Sequence, residues 1–462
     1  MDDAIKRNLF SGGLWVVGLK ILALPIGLIL VALLTRMLSA EEMGVYFLCV
    51  SLMDFLVLFS LLGMERSIVR IISGSLALAM PGRARQAIRR TLSIGALSAM
   101  VAAALLLSGF GRFVSVRIFN SVVMGELISY LAVWLALVTL QRLIAESFRG
   151  LHDTRLATLF DGLIPNFLYI AVLATLFLLE VKIDINTALL ILICTYAVNI
   201  LAGSAALFQS TSRLSGAGSI HASEILKTSW PFCFSAIFLT GLQQGHLWLL
   251  GYYSTAESVA LYGAAWRVVI LLTATLQIVR LVIPAMVAKL YAEKKHADLE
   301  KVLRSTATIA GVPSIIALLF ILIFGKTILH HLYGESYAGG NLILTILAVA
   351  NIINLCTGVP GVLLMMSSKE KVLLAISIFS GSLSILVSFV LIGRYDYIGV
   401  AIGAGTGIAV QNLLMAGYCL KKMRINTFIS LKEICLFKEN LLSVIAVGRQ
   451  RFLLKTNYQR NA

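Results

Sequence analysis

Leu33-Leu34-Thr35-Arg36-Met37-Leu38-Ser39-Ala40-Glu41-Glu42-Met43-Gly44-Val45-Tyr46 forms a polar elbow between two long apolar runs, and its reading decides the fold. A second elbow, Thr255-Ala256-Glu257-Ser258-Val259-Ala260-Leu261-Tyr262, lies 216 residues after the segment Ser39 to Tyr46. Of the eight positions, three are identical, four exchange similar residues, and only Glu42 against Ser258 is mismatched. The same shift lays His152-Asp153-Thr154-Arg155 on Ser368-Lys369-Glu370-Lys371, another short polar turn between apolar runs. One register held across both pairs reads as an internal duplication.

The runs flanking these elbows are about 20 residues long, the length that crosses a hydrocarbon core. Apolar residues make up 59% of the chain, charged residues 13%, and mean hydropathy is +0.93, against about 25% charged in soluble domains. The chain reads as an integral membrane protein. Lipid offers the backbone no partners, so only helices or a closed barrel can span it, and runs of this length select helices. A net charge of +16 reads as basic cytoplasmic loops facing anionic head groups, with no nucleic-acid partner. The apolar run Gly12–Leu34 is too long for a signal-peptide core and reads as retained. The six cysteines have neither metal-ligand nor CxxC spacing and read as packing residues.

Twelve spans follow from apolar length: 12–34, 43–64, 88–110, 126–148, 156–179, 187–208, 229–253, 259–281, 305–324, 341–365, 372–392 and 399–418. The second reads as continuing in helical pattern toward Ser73, and the eighth toward Tyr291. With the N-terminus inside, 26 of the 38 Lys and Arg fall on one side, six on the other and six within or at the ends of spans. That bias puts both termini in the cytoplasm. Six spans per half insert with one orientation, so the expected organisation is an N-terminal lobe (1–209), a cytoplasmic linker (210–228), a second six-helix lobe (229–420) and a basic tail (421–462) that is partly amphipathic. Two weaker spans after Phe428 are the alternative for that tail.

The first apolar run, the elbow from Leu34 to Tyr46, and then Leu62-Gly63-Met64-Glu65-Arg66-Ser67-Ile68-Val69-Arg70 together resemble the polysaccharide transporters of the multidrug/oligosaccharidyl-lipid/polysaccharide exporter (MOP) superfamily. These are the O-antigen and exopolysaccharide flippases. The likeness in architecture covers about residues 5–420, and its quotable motif is the N-terminal sixty. It implies an all-α, MATE-like fold of two parallel six-helix lobes in a bacterial inner membrane. It also implies ion-coupled transfer of undecaprenyl-diphosphate-linked oligosaccharide to the periplasmic leaflet. The partners implied are the lipid-linked glycan and membrane lipids, with the polymerase and chain-length proteins of the pathway as further candidates. Multidrug exporters of the superfamily commonly carry an acid in the first span, which Gly12–Leu34 lacks, and lipid II flippases usually have fourteen spans.

Ionisable residues inside spans are costly and so draw attention first. Lys20 lies about 12 Å into the first span and Asp54 about 16 Å in from the opposite face at 1.5 Å per residue, so in a core of about 30 Å they fall at similar depth and read either as a structural ion pair or as a proton or Na⁺ coupling site. Arg guanidiniums bind phosphate oxygens in pairs, which makes Arg66, Arg70, Arg142 and Arg280 head-group candidates, against the plain reading of positive-inside residues that snorkel. Arg267 is too deep to snorkel and reads as cavity lining. Arg142 reads as paired with Asp161 or Glu146. In the seventh span Gln243 and Gln244 suit sugar hydroxyls or helix contacts, Trp248 a sugar face or interfacial anchoring, and His246 a titrating coupling site. His330, His331 and Glu335 come nearest to a metal cluster but lack a fourth ligand. No spacing suggests a catalytic nucleophile, and no cofactor is expected beyond a coupling H⁺ or Na⁺. A drug exporter, or a membrane glycosyltransferase or polymerase of the same pathway, remain the alternatives. The latter would need a longer outer loop than the roughly fifteen residues available.

Overall fold

The computed structural model describes residues 18, 25–212, 214–216 and 218–430. Among them the regular elements are all helical. In order they are α1 (Pro25–Met37), α2 (Ala40–Leu61), α3 (Met64–Ala77), α4 (Pro81–Ile118), α5 (Ile128–Gly150), α6 (Thr154–Leu178) and α7 (Ile185–Ser212). The second half continues with α8 (Ala222–Tyr253), α9 (Ala256–Leu272), α10 (Ala274–Val282), α11 (Pro284–Ala292), α12 (His296–Tyr333), α13 (Asn341–Thr357), α14 (Pro360–Met366) and α15 (Glu370–Tyr418).

Both elbows are helix starts, and the same chemistry builds them. Ser39 Oγ accepts from the Glu42 amide at 3.2 Å while the Glu42 carboxylate accepts from the Ser39 amide at 2.9 Å, a reciprocal cap. Thr255 Oγ1 accepts from the Ser258 amide at 3.3 Å. The duplicated register continues through the turns. Left-handed residues recur as Ala79 and Lys294, Asn120 and Gly334, His152 and Ser368, Glu180 and Asp396, at separations of 214 to 216 residues.

Eight helices among the described residues are long and apolar enough to cross a membrane, and two bent pairs, 222–253 and 256–280, raise that to ten. The last of the eight runs from Glu370 to Met423 and is a hairpin. Asp396 leaves helical geometry at φ 47° and ψ −131°. The limbs then meet in antiparallel order: Gly399 against the Leu391 backbone, Ser388 Oγ donating to the Val400 carbonyl at 3.4 Å, Gly407 against Ser384, and Gln411 Nε2 donating to Ser377 Oγ at 3.1 Å. The hairpin therefore supplies the last two expected spans, and α1 is the described end of the first.

Several helices break where the apolar pattern alone runs on. The second expected span stops at Leu62 and Gly63, both left-handed, before α3 restarts. Gly63 is glycine for a second reason: a Cβ there would lie 2.3 Å from the Ser229 carbonyl oxygen. The eighth breaks at Thr273 and again ahead of Pro284, and the tenth at Gly358 ahead of Pro360, as a missing N–H and ring clash require. α6 breaks at Gly162, and the carbonyl of Phe160 is satisfied instead by buried Gln141 and Asn199 amides at 2.9 and 3.1 Å.

The chain forms two compact units. The first holds Met1–Leu271, Gly325–Leu344 and Ile385–Ala404. It has α2 buried along most of its length, and one packed cluster of Ile68, Ile72, Ile88, Ile144, Phe148, Phe160 and Leu207. Inside it the two elbows touch: a Cβ on Gly44 would stand 1.8 Å from the Ala256 carbonyl oxygen. Arg36 donates to the last-turn carbonyl of His331. Residues 218–224 dock on the start of α4, through the Ile220 amide on Gln86 Oε1 at 2.8 Å and an Arg83–Glu224 ion pair. The second unit holds Leu272–Phe324, Thr345–Ser384 and Gly405–Ala462. There residues 424–430 run outside any helix, with the Ile429 amide on the Cys356 carbonyl at 3.1 Å and the Ser430 amide on Thr308 Oγ1 at 3.1 Å. The amphipathic helix and the alternative further spans expected of the tail fall largely on residues 431–462, outside the described residues.

Candidate functional site

Four helices of the first unit carry polar residues to one place. Counting 1.5 Å per residue from the elbow-side ends of α2, α5, α8 and α9, Asp54, Arg142, Gln244 and Arg267 lie about 14 to 21 Å along their helices, near the middle of a core about 30 Å thick. Arg142 Nη2 stands 3.6 Å from Asp54 Oδ1, and Gln244 Nε2 donates to Asp54 Oδ2 at 3.3 Å. The Arg267 guanidinium acts electrostatically on the same carboxylate and on the Tyr46 and Tyr333 hydroxyls. Arg142 acts likewise on Tyr196.

Asp54 and Arg142 are packed but not sealed. Their side chains keep 45% and 33% of their exposure. Charged groups at mid-span face either lipid or water, and the cost of the first places this pair on a wetted surface. A carboxylate beside the Arg142 guanidinium, with a second guanidinium, Arg267, in electrostatic reach, leaves a local excess of one positive charge and an amide donor next to it. That arrangement suits a phosphate-bearing ligand better than a cation.

The remaining candidates divide. Gln243, one residue from Gln244 and therefore about 100° around the helix, is exposed and takes no part in the cluster. His246 is buried, with Nδ1 3.2 Å from Ser388 Oγ on the α15 hairpin. Arg66 and Arg70 are exposed on α3. Arg280 belongs to the second unit, where it donates to Asn354 Oδ1 at 3.2 Å. Lys20 lies outside the described residues. Trp248 packs edge-on against Phe55 at 4.8 Å. Asp161 and Glu146 both pair with Arg149, at 3.5 Å for Asp161, so neither is the partner expected for Arg142. Among the described residues no three His, Cys, Asp or Glu side chains converge as metal ligands.

A family model described as polysaccharide biosynthesis protein matches residues 9–288, more than half of the chain. The chain belongs to this family. A curated relative, the probable low-salt glycan biosynthesis flippase Agl15 of Haloferax volcanii, is 23% identical over 184 residues, which is 40% of this chain and 38% of the relative. The chain thus spans well under half the length of that relative. Among solved structures, an inward-facing multidrug resistance MATE family transporter of the MOP superfamily superposes with a TM-score of 0.72 at 17% identity, covering 87% of this chain and 94% of its own. The lipid II flippase MurJ in an inward closed conformation superposes at 0.64 with 12% identity, covering 96% and 92%. Identities this low establish the MOP fold alone.

In this polysaccharide biosynthesis protein three further tyrosines, Tyr46, Tyr196 and Tyr333, lie within electrostatic reach of the arginines. Tyr46 carried a signal: it is one of the identical elbow positions, matched by Tyr262. Tyr196 and Tyr333 had none, because a tyrosine in an apolar run reads as packing. Asp396 accepts from the Ser254 hydroxyl and from Ser258 Oγ, the latter at 2.9 Å.

Proposed function

We propose that this multi-pass membrane protein flips an undecaprenyl-diphosphate-linked oligosaccharide, an O-antigen or exopolysaccharide repeat unit, from the cytoplasmic to the periplasmic leaflet of a bacterial inner membrane. It does so by ion-coupled alternating access, with both termini cytoplasmic. The observation that carries the reading is the convergence of Arg142 and Arg267 with Gln244 around Asp54 at mid-span, in a chain of the polysaccharide biosynthesis family. Two guanidiniums from different helices can grip the two phosphates of one head group, and the amide can reach a sugar hydroxyl, while the polyprenyl tail stays in lipid. Family membership and the named function of the glycan-flippase relative support the class of substrate. The MOP fold supports the mode of movement.

The test is deletion of the gene in its native cell, with lipid-linked oligosaccharide measured on the cytoplasmic face of the membrane. Intermediates are expected to accumulate, and Arg267→Ala or Arg142→Ala is expected to insert normally yet fail to clear them. If no lipid-linked sugar accumulates and the surface glycan is unchanged, the proposal is wrong, and a drug-like or other lipid substrate takes its place.

A further inference from the structure

We propose that Asp54 is a resident counter-ion that a diphosphate competes with for Arg142 and Arg267, so that binding the anion is coupled to uptake of one proton at Asp54. The inference rests on the flippase reading, because the anion is the head group of that substrate.

The argument begins with charge. Asp54 stands where the guanidiniums need an anion, its Oδ1 3.6 Å from Arg142 and its Oδ2 accepting from Gln244 at 3.3 Å, with Arg267 acting on the same carboxylate. A diphosphate gripped by Arg142 must come as close to it as Asp54 is, within the reach of Arg267 as well. Like charges within about 4 to 6 Å drive one of the pair to take a proton. The phosphates of a doubly esterified diphosphate are strong acids, so the proton goes to the carboxylate.

The other groups around Asp54 do not compete for that role. Arg142 from α5 and the Gln244 amide from α8 contact it, and Arg267 from α9, Tyr196 from α7 and Tyr46 on its own helix lie within electrostatic reach. α4 also packs on α2 but carries its charged residues toward its two ends, Arg83 to Arg90 and Arg112 to Arg117. The tyrosines are protonated at any working pH. Protonated Asp54 releases Arg142 and leaves the positive charge of Arg142 and Arg267 to the phosphates. Release of the head group returns the carboxylate to Arg142 and expels the proton. Substrate and proton therefore bind together and leave together at this site.

The experiment titrates purified full-length protein in detergent with a short-chain prenyl-diphosphate N-acetylglucosamine, a diester with no proton of its own to lose near neutrality. Calorimetry between pH 5 and 8, in buffers of different ionisation enthalpy, counts protons taken up. The expected result is affinity that rises as pH falls, by up to about tenfold per pH unit for one linked proton. Asp54→Asn is expected to bind tightly at every pH with no proton uptake, and Asp54→Glu to keep both the slope and the uptake. Binding by the unaltered protein without pH dependence or proton uptake overturns the inference while leaving the head-group site standing. So does a slope that persists in Asp54→Asn. If the probe does not bind at any pH, the head-group reading itself fails and this inference fails with it. The proton count on the unaltered protein decides even if Asp54→Asn does not fold.

Discussion

Gly44→Ala tests the contact between the two elbows. A Cβ at position 44 would lie 1.8 Å from the Ala256 carbonyl oxygen, 2.5 Å from its carbon and 2.9 Å from its Cα, where ordinary contact begins near 3.4 Å. Backbone on the far side cannot rotate away as a side chain can, so the seam must open by about 1.6 Å. Overpacking of this kind costs about 1–3 kcal/mol, and the better helix propensity of alanine returns up to about 1 kcal/mol. A net loss of about 1.4 kcal/mol shifts a two-state equilibrium about tenfold. The assay places a reporter cysteine by Val45→Cys in a cysteine-free background, next to the seam at a position 2% exposed, and follows its labelling by a membrane-impermeant maleimide. Gly44→Ala is expected to raise the labelling rate several-fold and to lower the thermal midpoint in detergent. Gly417→Ala is the control, since a Cβ there meets nothing within 4 Å, and it should leave the midpoint unchanged or raise it. Equal labelling and equal midpoints for Gly44→Ala and its parent would refute the reasoning that this seam closes on the glycine.

Other expectations follow from single contacts. Asp396→Ala strands the Ser254 and Ser258 hydroxyls that donate to it, and is expected to lower unfolding free energy by about 1–3 kcal/mol; no change in the detergent melting curve would count against the latch. Hydrogen bonds from the Thr187 hydroxyl and the Asn186 amide hold the Asp184 carboxyl, which caps α7 outside the span, down to about 2. A depressed carboxyl stabilises above its unfolded value of about 3.9 and loses that contribution as pH falls toward about 2, so the melting difference between the protein and Asp184→Ala should be full at pH 7 and close across that window. A difference that is constant with pH would assign the effect to packing. Gly218→Val would place Cβ 2.4 Å from the Arg83 amide nitrogen, and is expected to undock residues 218–224 and speed their proteolysis; unchanged cleavage rules out the docked strap.

Hydropathy located the spans because lipid imposes length and apolarity on every helix at once, but it reports depth and not which way a side chain points. Asp54 and Arg267 are legible as suspects from their depth, Arg142 from its phosphate-binding guanidinium and Gln244 as a polar residue in an apolar span. Which of them meet is not, because that depends on the rotation of four helices about their axes. Lys20 was the partner expected for Asp54 on depth alone, while the described partners are Arg142 and Gln244. Arg142 was matched to nearby acids in sequence, yet Arg149 holds both of them. Breaks at Gly63, Gly162 and Thr273 are hidden for a related reason: the hydropathy of the whole window stays high, and a membrane helix tolerates a break when neighbouring side chains satisfy the freed carbonyl, as Gln141 and Asn199 do for Phe160.

The single mismatch between the elbows, Glu42 against Ser258, has a structural reason that neither elbow reveals alone. In the first half Glu42 is the acceptor: its Oε1 takes the Ile185 amide at 3.2 Å and ties the elbow to the turn entering α7. In the second half Ser258 is the donor, and the carboxylate stands on the opposite side of the contact as Asp396, in the turn of the α15 hairpin. Shifting by the repeat places Asp396 on Glu180 and Ile185 on Ala401, so both halves fasten the same elbow to the same turn with donor and acceptor exchanged. A substitution at one end of such a latch is tolerated only with a compensating group at the other. Ser258→Glu in the protein as it stands would set two carboxylates against each other, whereas the same change with Asp396→Asn restores a donor–acceptor pair. The double variant should therefore be more stable than Ser258→Glu alone, and a double variant no more stable than the single one would mean that the two ends vary independently.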